Sequence, residues 1–131
     1  MPTYEDNEFY AMQELVRVCI QQDRVDKRLQ ICFNLCQMLT QMQLDDTMTK
    51  TVRETSKFCQ KLLTNAEFRR AILRRNALME REPITYFGDE TAKDDMYDFD
   101  EQLEKDLTEI DFKITTFLGN VLTYIQQQTG F

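Results

Sequence analysis

The chain has 131 residues, of which 42% are hydrophobic and 30% are charged, and its formal net charge is −7. This length and composition are typical of one folded domain and exclude a disordered chain. Histidine is absent, which excludes histidine-based catalysis and imidazole metal sites, and the three glycines and two prolines are too few for an all-β fold rich in tight turns. We therefore expect one all-α domain over residues 1–131 that is not an enzyme.

The first two helices are predicted over residues 6–22 and 23–43. The second has apolar residues that step by four, three, four and three, as in a packed seam: Val25, Leu29, Cys32, Cys36 and Leu39. Heptad spacing also continues across Gln22, so one continuous helix is an alternative. We prefer a turn at residues 21–24 with Asp23 as the N-cap of the second helix.

The third helix is predicted over residues 46–63, because Asp45 and Asp46 are good caps that bring negative charge to a helix start. The fourth is predicted over residues 65–81. Its expected cap is Thr64, since Glu67 follows at the spacing of a capping box. Pro83 ends this helix, and we expect a loop over residues 82–97.

The last helix, predicted over residues 98–128, has the most regular apolar pattern. Its steps of four and three residues extend over three heptads through Leu103, Leu107, Ile110, Ile114, Phe117, Val121 and Tyr124. At 1.5 Å per residue it would span about 46 Å, against about 27 Å for its neighbours. Either the helix breaks at Gly119–Asn120, or its end projects and packs on another chain. The predicted architecture is a bundle of four to five helices with a long C-terminal helix.

Charge is segregated along the chain. Residues 47–81 carry 9 basic and 3 acidic side chains, whereas residues 82–131 carry 3 basic and 12 acidic ones. The basic candidates for partner binding are Lys50, Arg53, Lys57, Lys61, Arg70, Arg74 and Arg75. The acidic candidates are Asp94, Asp95, Asp98 and Asp100. The two halves could instead neutralise each other within one molecule.

The four cysteines, Cys19, Cys32, Cys36 and Cys59, lie within apolar helical patterns. We interpret them as reduced core thiols rather than as metal ligands, because only one close cysteine pair is present and zinc sites usually combine two. We expect no cofactor, metal or catalytic site. Reduced thiols, and the lack of a signal sequence or an apolar run of membrane-spanning length, predict an intracellular protein of the cytoplasm or nucleus without a membrane partner.

These patterns favour a non-enzymatic module for protein–protein interaction or assembly. The expected apolar contact is the end of the last helix: Phe117, Leu118, Val121, Leu122, Tyr124 and Ile125. The partner is a protein, and a second copy of the chain in a homo-oligomer is one candidate. The alternative is a nucleic-acid-associated subunit that uses the basic helical faces within residues 47–81.

Overall fold

The computed structural model describes the backbone of residues 4–80 and 90–130, and the side chains of residues 7–78 and 101–130. This part of the chain forms five helices and no strand: α1 (Tyr4–Gln21), α2 (Val25–Leu39), α3 (Asp46–Leu63), α4 (Ala66–Glu80) and α5 (Glu90–Thr129). The predicted all-α bundle with a long C-terminal helix is therefore confirmed.

The core lies around α2, which packs mainly on α1 and α3, while α5 lies chiefly along α1 and α4 packs on α3. Fully buried side chains come from α1, α2, α3, α4 and α5, and include Met12, Leu29, Leu35, Val52, Ile72 and Phe117. Among the described side chains, no polar or charged residue is buried. Removal of apolar surface from water, at roughly 25 cal/mol per Å², is thus the main force that holds the helices together.

Helices α1 and α2 are separate, because α1 ends at Gln21 and α2 begins at Val25. The expected turn at residues 21–24 is present, but the N-cap position is Arg24, which has an extended backbone conformation, and not Asp23. Asp45 does cap α3, where its carboxylate accepts a hydrogen bond from the Met48 amide at 2.7 Å.

The predicted cap of α4 at Thr64 is wrong. Asn65 caps the helix instead, and its Oδ1 accepts a hydrogen bond from the Phe68 amide at 3.1 Å. Thr64 has nearly helical dihedral angles and terminates α3, with its amide bonded to the Gln60 carbonyl. A residue in that conformation cannot also adopt the extended geometry of an N-cap.

The last helix is longer than predicted, since α5 begins at Glu90 and has 40 residues, a span of about 60 Å. Residues 90–97, predicted as loop, are helical. They contain neither glycine nor proline, and their acidic side chains favour a helix start. The remainder of the predicted loop, residues 82–89, lies outside the described residues. The helix also continues through Gly119, where one glycine costs only about 1 kcal/mol.

In the described part of the chain, no helix combines the length and the apolar character that are needed to cross a membrane.

Candidate interaction surface

The apolar end of α5, predicted as a partner contact, belongs to the core of its own chain. Five of its six candidates are buried, namely Phe117, Leu118, Val121, Tyr124 and Ile125, and Leu122 is 40% exposed. The ring of Tyr124 packs edge-on against Phe9 of α1, and its hydroxyl donates a hydrogen bond to the Gln43 carbonyl at 3.2 Å. Contact with α1 therefore replaces the expected exposed patch.

The acidic candidates Asp94, Asp95, Asp98 and Asp100 lie on the helical backbone of α5, but their side chains are outside the described residues. Further along α5, carboxylates do pair with basic residues of the earlier helices. Asp111 accepts a hydrogen bond from Arg28 of α2 at 3.1 Å, and Glu104 forms an ion pair with Arg75 of α4. The C-terminal half thus neutralises part of the positive charge that precedes it.

The basic candidates fall into two groups. On α4, Arg75 is paired with Glu104, Arg70 is exposed, and Arg74 is exposed and makes an interaction of its own. On α3 four side chains are exposed, and within residues 7–78 and 101–130 they have no ion-pair partner: Lys50, Arg53, Lys57 and Lys61. These four, which we call the cation row, occupy one side of the helix because they are three or four residues apart.

A groove lies between α3 and α5, about 100° around α3 from the cation row, because its lining residues Thr51, Glu54 and Phe58 each directly follow a member of the row. It encloses about 200 Å³ and is lined by Thr51, Glu54, Thr55 and Phe58 of α3 and by Phe112, Lys113, Ile114, Thr116, Phe117 and Asn120 of α5. The ammonium group of Lys113 lies 4.4 Å from the centre of the Phe58 ring and 3.3 Å from a Glu109 carboxylate oxygen. This cation–π contact joins the two helices across the groove.

Phe112, at the edge of this groove, is 71% exposed and has the greatest exposure of the large hydrophobic side chains described. The sequence did not predict this residue, because residues outside the heptad seam are assigned to solvent and Phe112 is one of them. The available signal was a phenylalanine on the otherwise polar side of a strongly amphipathic helix. A single exposed apolar residue is ordinary, but one that lines a groove formed with the helix that carries the cation row points to a contact surface.

Beyond Lys113, the outward side of α5 carries no charge, although solvent-facing sides of helices usually do. Its exposed residues are Thr115, Thr116, Gly119, Asn120, Leu122, Thr123, Gln126 and Gln127. Two of these residues, Thr116 and Asn120, also line the groove, so the uncharged side is continuous with it. We use "α3–α5 surface" for the cation row, the groove, Phe112 and this uncharged side together.

A second groove, of about 370 Å³, lies between α2, the end of α3 and α4. Its lining combines apolar side chains such as Leu29, Phe68 and Ile72 with the charged residues Lys27 and Arg69. The Asp26 carboxylate at its edge already accepts a hydrogen bond from Asn76 at 3.0 Å, which joins α2 to α4. The Asp26 carboxylate therefore serves packing between helices, and we assign the groove no ligand.

All four cysteines are buried and unpaired in disulfides, as expected for core thiols. Cys32 is close to Cys36 and Cys59. The contact with Cys36 and burial raise the pKa of Cys32, although the hydrogen bond with Cys59 acts in the opposite direction. The contact with Cys32 and burial raise the pKa of Cys59. Burial also raises the pKa of Cys19, whose thiol donates a hydrogen bond to the Arg28 carbonyl. Protonated, buried thiols are poor nucleophiles. In residues 7–78 and 101–130, no group of three or more cysteine or carboxylate side chains is arranged to hold a metal ion.

No family model matches the chain, and neither does a curated protein or a solved structure. The chemistry of the α3–α5 surface is therefore the basis for assigning a function.

Proposed function

We propose that this protein is a non-enzymatic interaction module that binds a protein partner through the α3–α5 surface. One observation carries the proposal: Phe112 is 71% exposed at the edge of a groove that lies beside four exposed cations without an ion-pair partner in the described ranges. An aromatic residue that can be buried by a partner, surrounded by polar and basic groups, is the usual composition of a binding hot spot.

The two parts of the surface contribute differently to binding. Burial of Phe112 and the half-buried Phe58 would supply affinity, because aromatic side chains remove the most apolar area from water. The cation row would accelerate association and select an acidic partner, since exposed charges act mainly on the association rate and on specificity. An intracellular location, in the cytoplasm or nucleus, is supported by the four free cysteines.

A nucleic-acid partner is the second candidate. It is favoured by Phe58, which follows Lys57 of the cation row and lines the same groove as Phe112, since stacking aromatics combined with cations bind single strands. Against it stand the net charge of −7 and the carboxylates Glu54 and Glu109 at the same groove. These carboxylates repel a phosphate backbone, whereas a protein helix can place uncharged residues opposite them. The protein partner is therefore the better supported proposal.

The test is a quantitative comparison of proteins captured from a cell extract by four immobilised single-site variants and the wild type. Phe112→Ala and Lys57→Glu alter the α3–α5 surface. Ile20→Ala, which truncates a residue 60% exposed on α1, and Lys27→Glu on α2 are matched controls elsewhere. Thermal unfolding of each variant verifies that it folds.

We expect the same proteins to be retained by the wild type and both controls, and to be depleted at least fivefold on both surface variants. Identical capture by all five proteins would contradict the proposal, and so would equal depletion on the controls. If Lys57→Glu reduces capture but Phe112→Ala has no effect, the captured proteins bind by nonspecific ion exchange rather than at a defined interface.

A further inference from the structure

The next inference rests on the proposed function and specifies the partner. We propose that the occupant of the α3–α5 surface is an acidic amphipathic helix of a different protein, with a large apolar side chain that enters the groove. Three features of the surface point to this occupant: the spacing of the cations, the size of the groove and the shape of the uncharged side of α5.

The cation row has the repeat of a helix. Lys50, Arg53, Lys57 and Lys61 are separated by three, four and four residues, and they extend over about 16 Å of helix axis. Carboxylates at the same separations on a second helix lie on one of its sides and can face the row over this whole length. Glu54 lies between the row and the groove, and Glu109 is paired with Lys113, so the surface retains an excess of positive charge.

The groove is suited to a side chain rather than to a whole small molecule. Its volume of about 200 Å³ is below the roughly 300–1,000 Å³ of typical ligand pockets. Its walls combine the rings of Phe58, Phe112 and Phe117 with Ile114, with threonine and asparagine side chains and with the charged residues Glu54 and Lys113. An apolar residue of the partner would be buried among these rings, and Phe112 would lose its exposure at the same time.

The uncharged side of α5 favours a helix over an extended segment. Thr115, Gly119 and Thr123 are one turn apart and exposed, and a Cβ atom built on Gly119 would meet nothing within 4 Å. No contact within the described chain therefore requires glycine at this position, although glycine destabilises a helix interior. Short side chains on one side allow a second helix to approach closely, and this approach explains the choice of residues.

A second copy fits this surface less well. A two-fold dimer would pair this surface with the same surface of the other copy, and because the surface has an excess of positive charge, the two copies would repel each other. Because this surface lacks the complementary charge, we assign that charge to a different, acidic chain.

The experiment uses two fluorescein-labelled, capped 18-residue helical peptides and the full chain. The acidic peptide carries glutamates at the separations of the cation row, with leucine and phenylalanine on the adjacent side, and the neutral peptide has glutamine in place of every glutamate. Fluorescence anisotropy gives the dissociation constants at 50 mM and 500 mM NaCl. The protein variants are Phe112→Ala, a Lys57→Glu/Lys61→Glu double variant and Gly119→Leu, with Lys27→Glu and Ile20→Ala as controls.

We expect the acidic peptide to bind at least tenfold more tightly than the neutral one at 50 mM NaCl, and the difference to shrink at 500 mM as salt screens the charges. Each of the three surface variants should weaken binding at least tenfold, while both controls stay within twofold. Weaker peptide binding by Gly119→Leu would indicate that a helix approaches α5 closely, because this substitution leaves the charges unchanged.

Several results would overturn the inference. Equal binding of the two peptides, or no binding of either, would show that the partner is not an acidic helix. If capture from the extract still depends on Phe112, the proposed function as an interaction module remains supported although this partner is rejected. Tighter binding of a 12-nucleotide single-stranded RNA than of the acidic peptide assigns the surface to nucleic acid. Analytical ultracentrifugation tests for a second copy. If the mass doubles as concentration rises, and Phe112→Ala returns it to the monomer value, the α3–α5 surface binds a second copy of the chain.

Discussion

The inward and outward sides of α5 have opposite surroundings, and two phenylalanines five residues apart show the difference. Phe117 is 2% exposed in the core, whereas Phe112 is 71% exposed at the edge of the groove. Both belong to one regular helix, so backbone propensity does not distinguish them. Their positions on the helix do: 500° separates them along the chain, which places them about 140° apart around the axis.

This difference separates residues that maintain the fold from residues that are available for binding. The inward side keeps a strict heptad of apolar residues from Leu103 to Tyr124, and each buried member contributes roughly 1.5–3 kcal/mol by leaving water. Phe112 contributes little to folding because most of its ring stays hydrated.

The largest expected effect comes from truncation of the two phenylalanines in turn. Phe117→Ala should destabilise the protein by about 3–5 kcal/mol, because it removes a buried ring and leaves a cavity between α5 and its neighbours. Phe112→Ala should change the free energy of unfolding by less than about 0.5 kcal/mol. Urea unfolding followed by circular dichroism measures both. Similar losses for the two variants would mean that Phe112 is a core residue.

Alkaline pH should reveal the buried thiols on the inward side of α2 and α3. Thiol contacts and burial raise the pKa of Cys32 and Cys59 in the folded protein, while unfolded thiols ionise near pH 8.5. The stability that these protonated thiols contribute to the folded state is therefore fully present below about pH 8.5. It is lost as pH rises towards the folded pKa, at up to about 1.4 kcal/mol per pH unit for each thiol.

The measurement is the free energy of unfolding at pH 7.5, 9 and 10.5 for the wild type and for Cys59→Ala. The variant should be less stable at pH 7.5 because it loses a buried side chain, yet its stability should fall less steeply with pH. Lysines and tyrosines ionise in both proteins and cancel in the comparison. Parallel pH profiles would show that Cys59 ionises in the folded state as it does in the unfolded one.

The fold class was predictable because its signals are repeated many times along the chain. Apolar spacing over several turns determines which side of each helix is buried, and the heptad from Leu103 to Tyr124 describes the core side of α5. Helix ends depend on single residues and were predicted less well. Thr64 and Asn65 are both acceptable caps, and the choice between them depends on how far α3 extends before it ends.

The candidate surface was predicted only in part, because it combines residues far apart in the chain. The cation row follows from the spacing of Lys50, Arg53, Lys57 and Lys61 on one helix. Its proximity to Phe112 depends on how α5 packs against α3, which local spacing does not specify. The apolar end of α5 was assigned to a partner for the same reason, since nothing in its own pattern indicates that α1 covers it.

A small gain in stability, and the sharpest test of the comparison between the two sides, is expected for Gly119→Ala. Alanine is favoured over glycine in a helix interior by about 0.5–1 kcal/mol, and the added methyl group has no atom within 4 Å to displace. The midpoint of urea unfolding should therefore rise.

If a partner helix approaches the outward side of α5 closely, the same methyl group should weaken acidic-peptide binding about threefold to tenfold, because it would crowd the contact. A variant that is more stable and binds as tightly as the wild type would place the partner away from Gly119. If the variant is less stable, Gly119 is needed for folding, and the outward side of α5 would then, like the inward side, contain residues that maintain the fold.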